Sequence, residues 1–126
     1  MKRGIVVLLA IFLVLLAGVT AIADQSATKT SSSAIVASGA GWFLGIIVVT
    51  DGTNAVTLDV YDNGSAASGT KLIPQTVVTT SSTNRVFAIG FDADDKSGDV
   101  YFYNGLYVNV TCAGTVSYMV YYRLER

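Results

Sequence analysis

The chain has 126 residues, 52% of them hydrophobic and only 13% charged, with a formal net charge of −1, one Cys and no His. One Cys excludes an internal disulfide. Without His there is no His-based acid–base or triad chemistry, and the two counts together exclude a Cys/His metal centre. A slightly acidic balance speaks against nucleic-acid binding through a basic face.

Met1-Lys2-Arg3-Gly4 is a short cationic start, followed by an apolar or small-residue run over residues 5–19 and by Thr20-Ala21-Ile22-Ala23 before Asp24. This three-part pattern predicts a secretory signal peptide over residues 1–23, cleaved after Ala23. Two rival readings stand beside it. Residues 5–23 approach the roughly 20 residues of a spanning helix, so an uncleaved N-terminal membrane anchor would touch the membrane through that segment alone. A pilin-type leader would be cut near Gly4. The expected location is extracellular, at a cell surface or on a virion surface, with membrane anchoring if the leader is retained.

Residues 24–38 are mostly Ser, Thr and Ala. They read as a Ser/Thr-rich linker: a flexible stalk over residues 24–33, then an edge strand over 34–37 carrying Ile35 and Val36.

From residue 39 to 126 the period-2 signal dominates and predicts one domain of short strands. Residues 42–50 (WFLGIIVVT) are apolar on both faces, as in a central strand covered on both sides. Asp51-Gly52-Thr53-Asn54 is a turn cluster. Val56, Leu58 and Val60 alternate with Thr57, Asp59 and Tyr61, and short strands flank Pro74, which suits an edge. Phe87, Ile89 and Phe91 form the next alternating set, before a polar loop over residues 92–99. Leu106, Val108, Val110 and Cys112 alternate with Tyr107, Asn109 and Thr111; Val116, Tyr118, Val120 and Tyr122 follow the same rule after Ala113-Gly114. Trp42, Phe87, Phe91 and Val108 are expected in the core, and Cys112 as a buried small hydrophobe. The fold class predicted is all-β: a single antiparallel β-sandwich, jelly-roll-like, preceded by an N-terminal hydrophobic leader helix.

Carboxylates cluster only in the polar loop. Asp92, Asp94, Asp95 and Asp99 could offer oxygens to Ca²⁺, but Lys96 stands where a third ligand belongs, so the loop reads as a solvated turn. Asp59 and Asp62 flank Tyr61 as a candidate glycosidase pair. Asp59 falls on an outward strand position and Asp62 starts a turn, which favours structural roles. Aromatic residues are dense: Tyr101, Phe102, Tyr103, Tyr107, Tyr121 and Tyr122. Tyr101, Tyr103, Tyr107 and Tyr121, with Ile35 and Val36, are the interface candidates, since tyrosine suits both subunit contacts and sugar rings.

Gly45 to Thr50 with Asp51-Gly52-Thr53-Asn54, then Val60-Tyr61-Asp62-Asn63, Ser68-Gly69-Thr70-Lys71-Leu72, Gly90-Phe91-Asp92 and Asn104-Gly105-Leu106-Tyr107-Val108 resemble a family of short β-sandwich proteins encoded by tailed phages. The resemblance covers roughly residues 40–123. It implies a virion structural component and brings no catalytic residues and no cofactor.

The expected function is a non-enzymatic structural or interaction module, first as a phage-type virion surface or decoration protein. The alternative is an exported, pilus-like filament or cell-surface subunit that assembles by strand addition from residues 24–37. A carbohydrate-binding module is a further reading. The expected partner is another copy of the chain or a larger protein assembly; carbohydrate is a second partner class, and nucleic acid is not expected.

Overall fold

The structure, a computed structural model, describes the backbone of residues 25–30 and all atoms of residues 32–90 and 99–125. The leader over residues 1–23, Phe91, Asp92, Asp94 and Asp95 lie outside the described residues. Nine strands and no helix are present among the described residues: β1 (Gln25–Thr30), β2 (Ala34–Ser38), β3 (Gly41–Thr50), β4 (Val56–Asp62), β5 (Thr76–Val78), β6 (Val86–Gly90), β7 (Val100–Phe102), β8 (Gly105–Cys112) and β9 (Val116–Leu124).

All pairings are antiparallel. One sheet runs β1-β9-β3-β6, with β7 beside β6 on the same edge of β3; the other runs β2-β8-β4-β5. The chain goes out through β1 to β4 and returns through β5 to β9. Each outgoing strand meets a returning one: β1 with β9, β2 with β8, β3 with β6 and β7, β4 with β5. The contacts of β9 with β3 and of β8 with β4 then close the two sheets.

Alternation explains which side chains turn inward. Val56, Leu58 and Val60 of β4, Leu106 and Val108 of β8, and Val116, Tyr118, Val120 and Tyr122 of β9 are all buried. With Phe43, Ile46 and Val48 of β3, and with Phe102, they form one cluster fed by both sheets. Phe87, Ile89, Val110 and Cys112 are partly buried against it. Burial of this apolar area, at about 25 cal/mol per Å², is the main force holding the sheets together.

Two expectations are corrected. Residues 24–33 are not a free stalk: Gln25–Thr30 is β1, paired with β9 from Gln25↔Tyr122 to Thr30↔Ser117. The stretch QSATKT offers no large apolar side chain to read. Its place is fixed by backbone hydrogen bonding to β9, which side-chain patterning does not report. The domain therefore starts before residue 39, and β2 is an edge strand, as the sequence suggests for residues 34–37.

The second correction is β3, which among the described residues is covered on one face rather than two. Its register slips between Phe43 and Gly45, so Phe43, Ile46 and Val48 point into the core. Trp42, Leu44 and Ile47 are only half-buried and Val49 is exposed. Trp42 is thus an outer-face residue and not a core one. Gly45 makes the slip feasible: a Cβ there would stand 2.8 Å from Gly90 Cα and 2.9 Å from Ile89 O. Such a close strand approach is a setting in which glycine and bulges recur.

Candidate functional site

The outer face of the five-stranded sheet ends in an aromatic corner. Strand register sets Trp42 of β3 between Tyr101 of β7 and Arg123 of β9. The Trp42 and Tyr101 rings meet edge to face, centroids 5.1 Å apart, and Tyr101 meets Tyr103 the same way at 4.7 Å. The Arg123 guanidinium lies 5.1 Å from the Trp42 ring centroid, within cation–π range. It also holds the Asp99 carboxylate at 3.1 Å. The Tyr101 hydroxyl donates to the Glu125 carboxylate. That bond, followed by desolvation and the Glu125 charge, pushes the Tyr101 phenol up to about 12.

Asp62 anchors the corner from the other sheet. Its carboxylate accepts the Tyr103 N–H at 3.0 Å and the Asn104 N–H at 2.7 Å. The turn between β7 and β8 is thereby fixed, and Tyr103 stands out of the surface at 72% exposure.

An apolar strip continues from the corner along the same face. Ile47 of β3 is flanked by Ala88 and Met119, and Val49 by Val86 and Ser117. Tyr121 sits opposite Gly45, in the gap between the strip and the corner. Val49 and Val86 are among the most exposed large aliphatic side chains of the described residues, at 42% and 59%. A contiguous apolar area of this kind is a mark of an interaction surface.

The four-stranded sheet shows a different outer face. Tyr107 of β8 pairs with Ile35 of β2 and with Tyr61 of β4, and Lys71 bridges to Tyr61. One step along, Asn109 pairs with Asp59. Ser33 Oγ donates to Asn109 Oδ1 at 2.8 Å, and Gln75 Nε2 donates to Asp59 Oδ2 at 3.0 Å. Asp59 Oδ1, sealed from solvent, has the Lys71 ammonium at 2.7 Å. Asp59 is only 3% exposed although it points away from the core. Burial by itself would raise its carboxyl. The bonds from Lys71 and Gln75, the Lys71 charge and the Asn109 amide outweigh that and hold it below the usual range. The same ion pair raises Lys71, whose ammonium also lies 5.7 Å from the Tyr61 ring centroid.

The interface candidates therefore divide. Tyr101, Tyr103 and Tyr121 share the five-stranded sheet, whereas Tyr107 and Ile35 lie together on the other, so they do not make one surface. Val36 is removed from the candidates: the register shift between Ile35 and Ala37 turns it toward the core, against which it packs. Of the four candidate calcium ligands, Asp99 is engaged by Arg123, and Asp92, Asp94 and Asp95 lie outside the described residues. Asp59 and Asp62 do not act as a pair, since one is held by Lys71 and Gln75 and the other caps a turn. Sequence reasoning missed Trp42 as the centre of the corner. Only cross-strand register puts it beside Tyr101 and Arg123. It also missed the Asp59 cluster, whose members come from four separate strands and loops. Comparison with protein-family models, with curated proteins and with solved structures finds no match to this chain.

Proposed function

We propose that this chain is a jelly-roll β-sandwich serving as a non-enzymatic interaction module, displayed as a surface or decoration protein of a phage-type virion. The rolled-ribbon strand order, with β1 to β4 each meeting a returning mate, supports the jelly roll. The observation that carries the function is the outer face of the five-stranded sheet. There Trp42, Tyr101, Tyr103 and Arg123 adjoin a strip containing Ile47, Val49, Val86 and Tyr121. Aromatic residues and Arg are enriched in interface cores, where Lys, Glu and Asp are depleted. A second copy of the chain or a particle protein is the partner that suits this face.

Assembly by strand addition loses ground, because β1 already pairs with its own β9. The predicted signal peptide supports export, with the module acting outside the membrane it crosses. Two measurements test the reading. Light scattering on the exported chain should show self-association that Val49→Glu with Val86→Glu abolishes without changing the β spectrum. Mass spectrometry of purified particles from the producing culture should find the chain in fixed stoichiometry. A monomer that is absent from particles would overturn the proposal.

A further inference from the structure

The outer face of the four-stranded sheet carries a second, chemically distinct surface. Its construction is unusual in one respect: a carboxylate is buried on the side facing away from the core. Taking charges out of water is expensive, and a buried ion pair adds little net stability. What Asp59 does achieve is orientation. From beneath the surface it holds the Lys71 ammonium at 2.7 Å and the Gln75 amide at 3.0 Å, beside its cross-strand partner Asn109. Asp59, the loop carrying Lys71 and Gln75, and Asn109 belong to three different stretches of chain, and long side chains such as Lys and Gln would otherwise be free to rotate.

Lys71 and Gln75 keep hydrogen-bonding capacity beyond their bonds to Asp59. The Lys71 ammonium has three N–H donors, of which Asp59 engages one, and it lies 5.7 Å from the Tyr61 ring centroid. The Gln75 amide retains a carbonyl and a second N–H. Next to this row stand Tyr61 and Tyr107, cross-strand partners and both half-buried. Asp59 and Lys71 cancel each other's charge, so the patch as a whole is neutral.

We propose that this face binds pyranose units of a neutral polysaccharide. Tyr61 and Tyr107 supply the platform for the C–H face of a ring, while Lys71 and Gln75, set in place by Asp59, and Asn109, held by Ser33, meet its hydroxyls. The chemistry of the donor set argues for this occupant. Flat apolar ring faces beside fixed hydroxyl partners are what a sugar presents and requires, and tyrosine offers an apolar body with a polar tip. Sites built to pair buried or oriented polar groups with hydroxyls discriminate strongly against ligands lacking them. An anionic ligand would have to compete with Asp59 for Lys71.

The surface lies on the sheet opposite the proposed assembly face, so the two can be tested apart. Isothermal titration of the full exported chain against cellohexaose, chitohexaose, maltohexaose and a yeast mannan should show binding of at least one probe. Tyr107→Ala and Gln75→Ala should each weaken that binding about tenfold or more, and Tyr107→Trp, which keeps a platform, should retain it. Should Tyr107→Ala not fold, the exposed Gln75→Ala decides alone. Tyr103→Ala, on the other sheet, should leave sugar binding unchanged, and Gln75→Ala should leave self-association unchanged. Failure of all four probes to bind, or binding unaffected by Gln75→Ala, would overturn the inference and leave the assembly reading intact.

Discussion

Asp51 and Thr115 are 64 residues apart in sequence, and the Asp51 carboxylate accepts the Thr115 N–H at 3.2 Å. The same carboxylate accepts the N–H groups of Thr53 at 2.8 Å and Asn54 at 3.0 Å, and the Asn54 side-chain amide at 2.8 Å. One side chain thus shapes the β3–β4 turn and pins it to the β8–β9 turn. The bonds from Asn54, first backbone and then side chain, hold the Asp51 carboxyl far below the ordinary carboxylate range.

The sign of the resulting pH dependence follows. The folded-state value lies below the unfolded one, so the stabilisation is present above roughly pH 4 and is lost as pH falls further. Asp59 is shifted the same way and adds to the effect. Melting temperature should fall on acidification below about pH 4, and Asp51→Asn should flatten that fall while lowering stability at neutral pH. A parallel acid profile for wild type and variant would reject the assignment. Gly114→Ala tests the same junction sterically, because a Cβ there would run into the Asp51 carboxylate. It should destabilise although Gly114 lies in an exposed hairpin.

Core packing gives a sharper magnitude. Phe43 is fully buried in the cluster shared by both sheets. Phe43→Ala should cost about 3–5 kcal/mol in denaturant unfolding, from lost transfer energy plus a cavity. Val77, 61% exposed, is the control, and Val77→Ala should stay within about 0.5 kcal/mol. Equal effects at the two sites would mean that the inward phase of β3 is misassigned.

Residues 24–38 offer a test of the corrected domain boundary. Treated as a stalk, the segment should be dispensable. In the structure it contains two strands, and Ala37 lies in the core. Deleting it strips β1 from β9 and β2 from β8, exposing unpaired backbone on both sheets. The truncated chain should lose its β-type circular dichroism or aggregate. Retention of a cooperative melt at the wild-type temperature would restore the stalk reading.

Alkaline titration examines the aromatic corner. Among the described tyrosines, Tyr101 is raised to about 12 chiefly by its bond to Glu125, and Tyr118 to about 12 chiefly by burial. Both are favoured neutral in the folded protein, so their contribution is complete below about pH 10 and is lost as pH rises past it. Tyrosinate absorbance should show Tyr101 and Tyr118 titrating late, and Glu125→Gln should bring Tyr101 earlier. An unchanged titration in that variant would remove the Tyr101–Glu125 bond from the account.

Some of this was readable from the residues alone, and the reason is physical. Val56, Leu58 and Val60, or Val116, Tyr118, Val120 and Tyr122, alternate because each strand has one dry face, and burial writes that directly into sequence. β1 carries no such pattern, because its position depends on backbone hydrogen bonds that any residue but Pro can make. Alternation also says that Tyr107 and Tyr121 point outward, but not from which sheet, since pairing between distant strands has no local signal. The outer face of β3 misled in the opposite sense. Its apolar residues suggest a second cover, whereas they line the exposed strip. Asp59 looked like a solvated surface residue because Lys71 and Gln75, which bury it, belong to the far side of a long loop.

The pairing of β1 with β9 joins the first described strand to the last. Moreover, β9 lies between β1 and β3, so neither of them gains its central neighbour until β9 is available. Long-range pairing of this kind slows folding, because distant segments must meet before any contact rewards them. A ribosome must therefore deliver every strand through β9 before this sheet can close. Until then β1 and β3 have no shared neighbour, so closure of this sheet waits on its last strand rather than on any local turn.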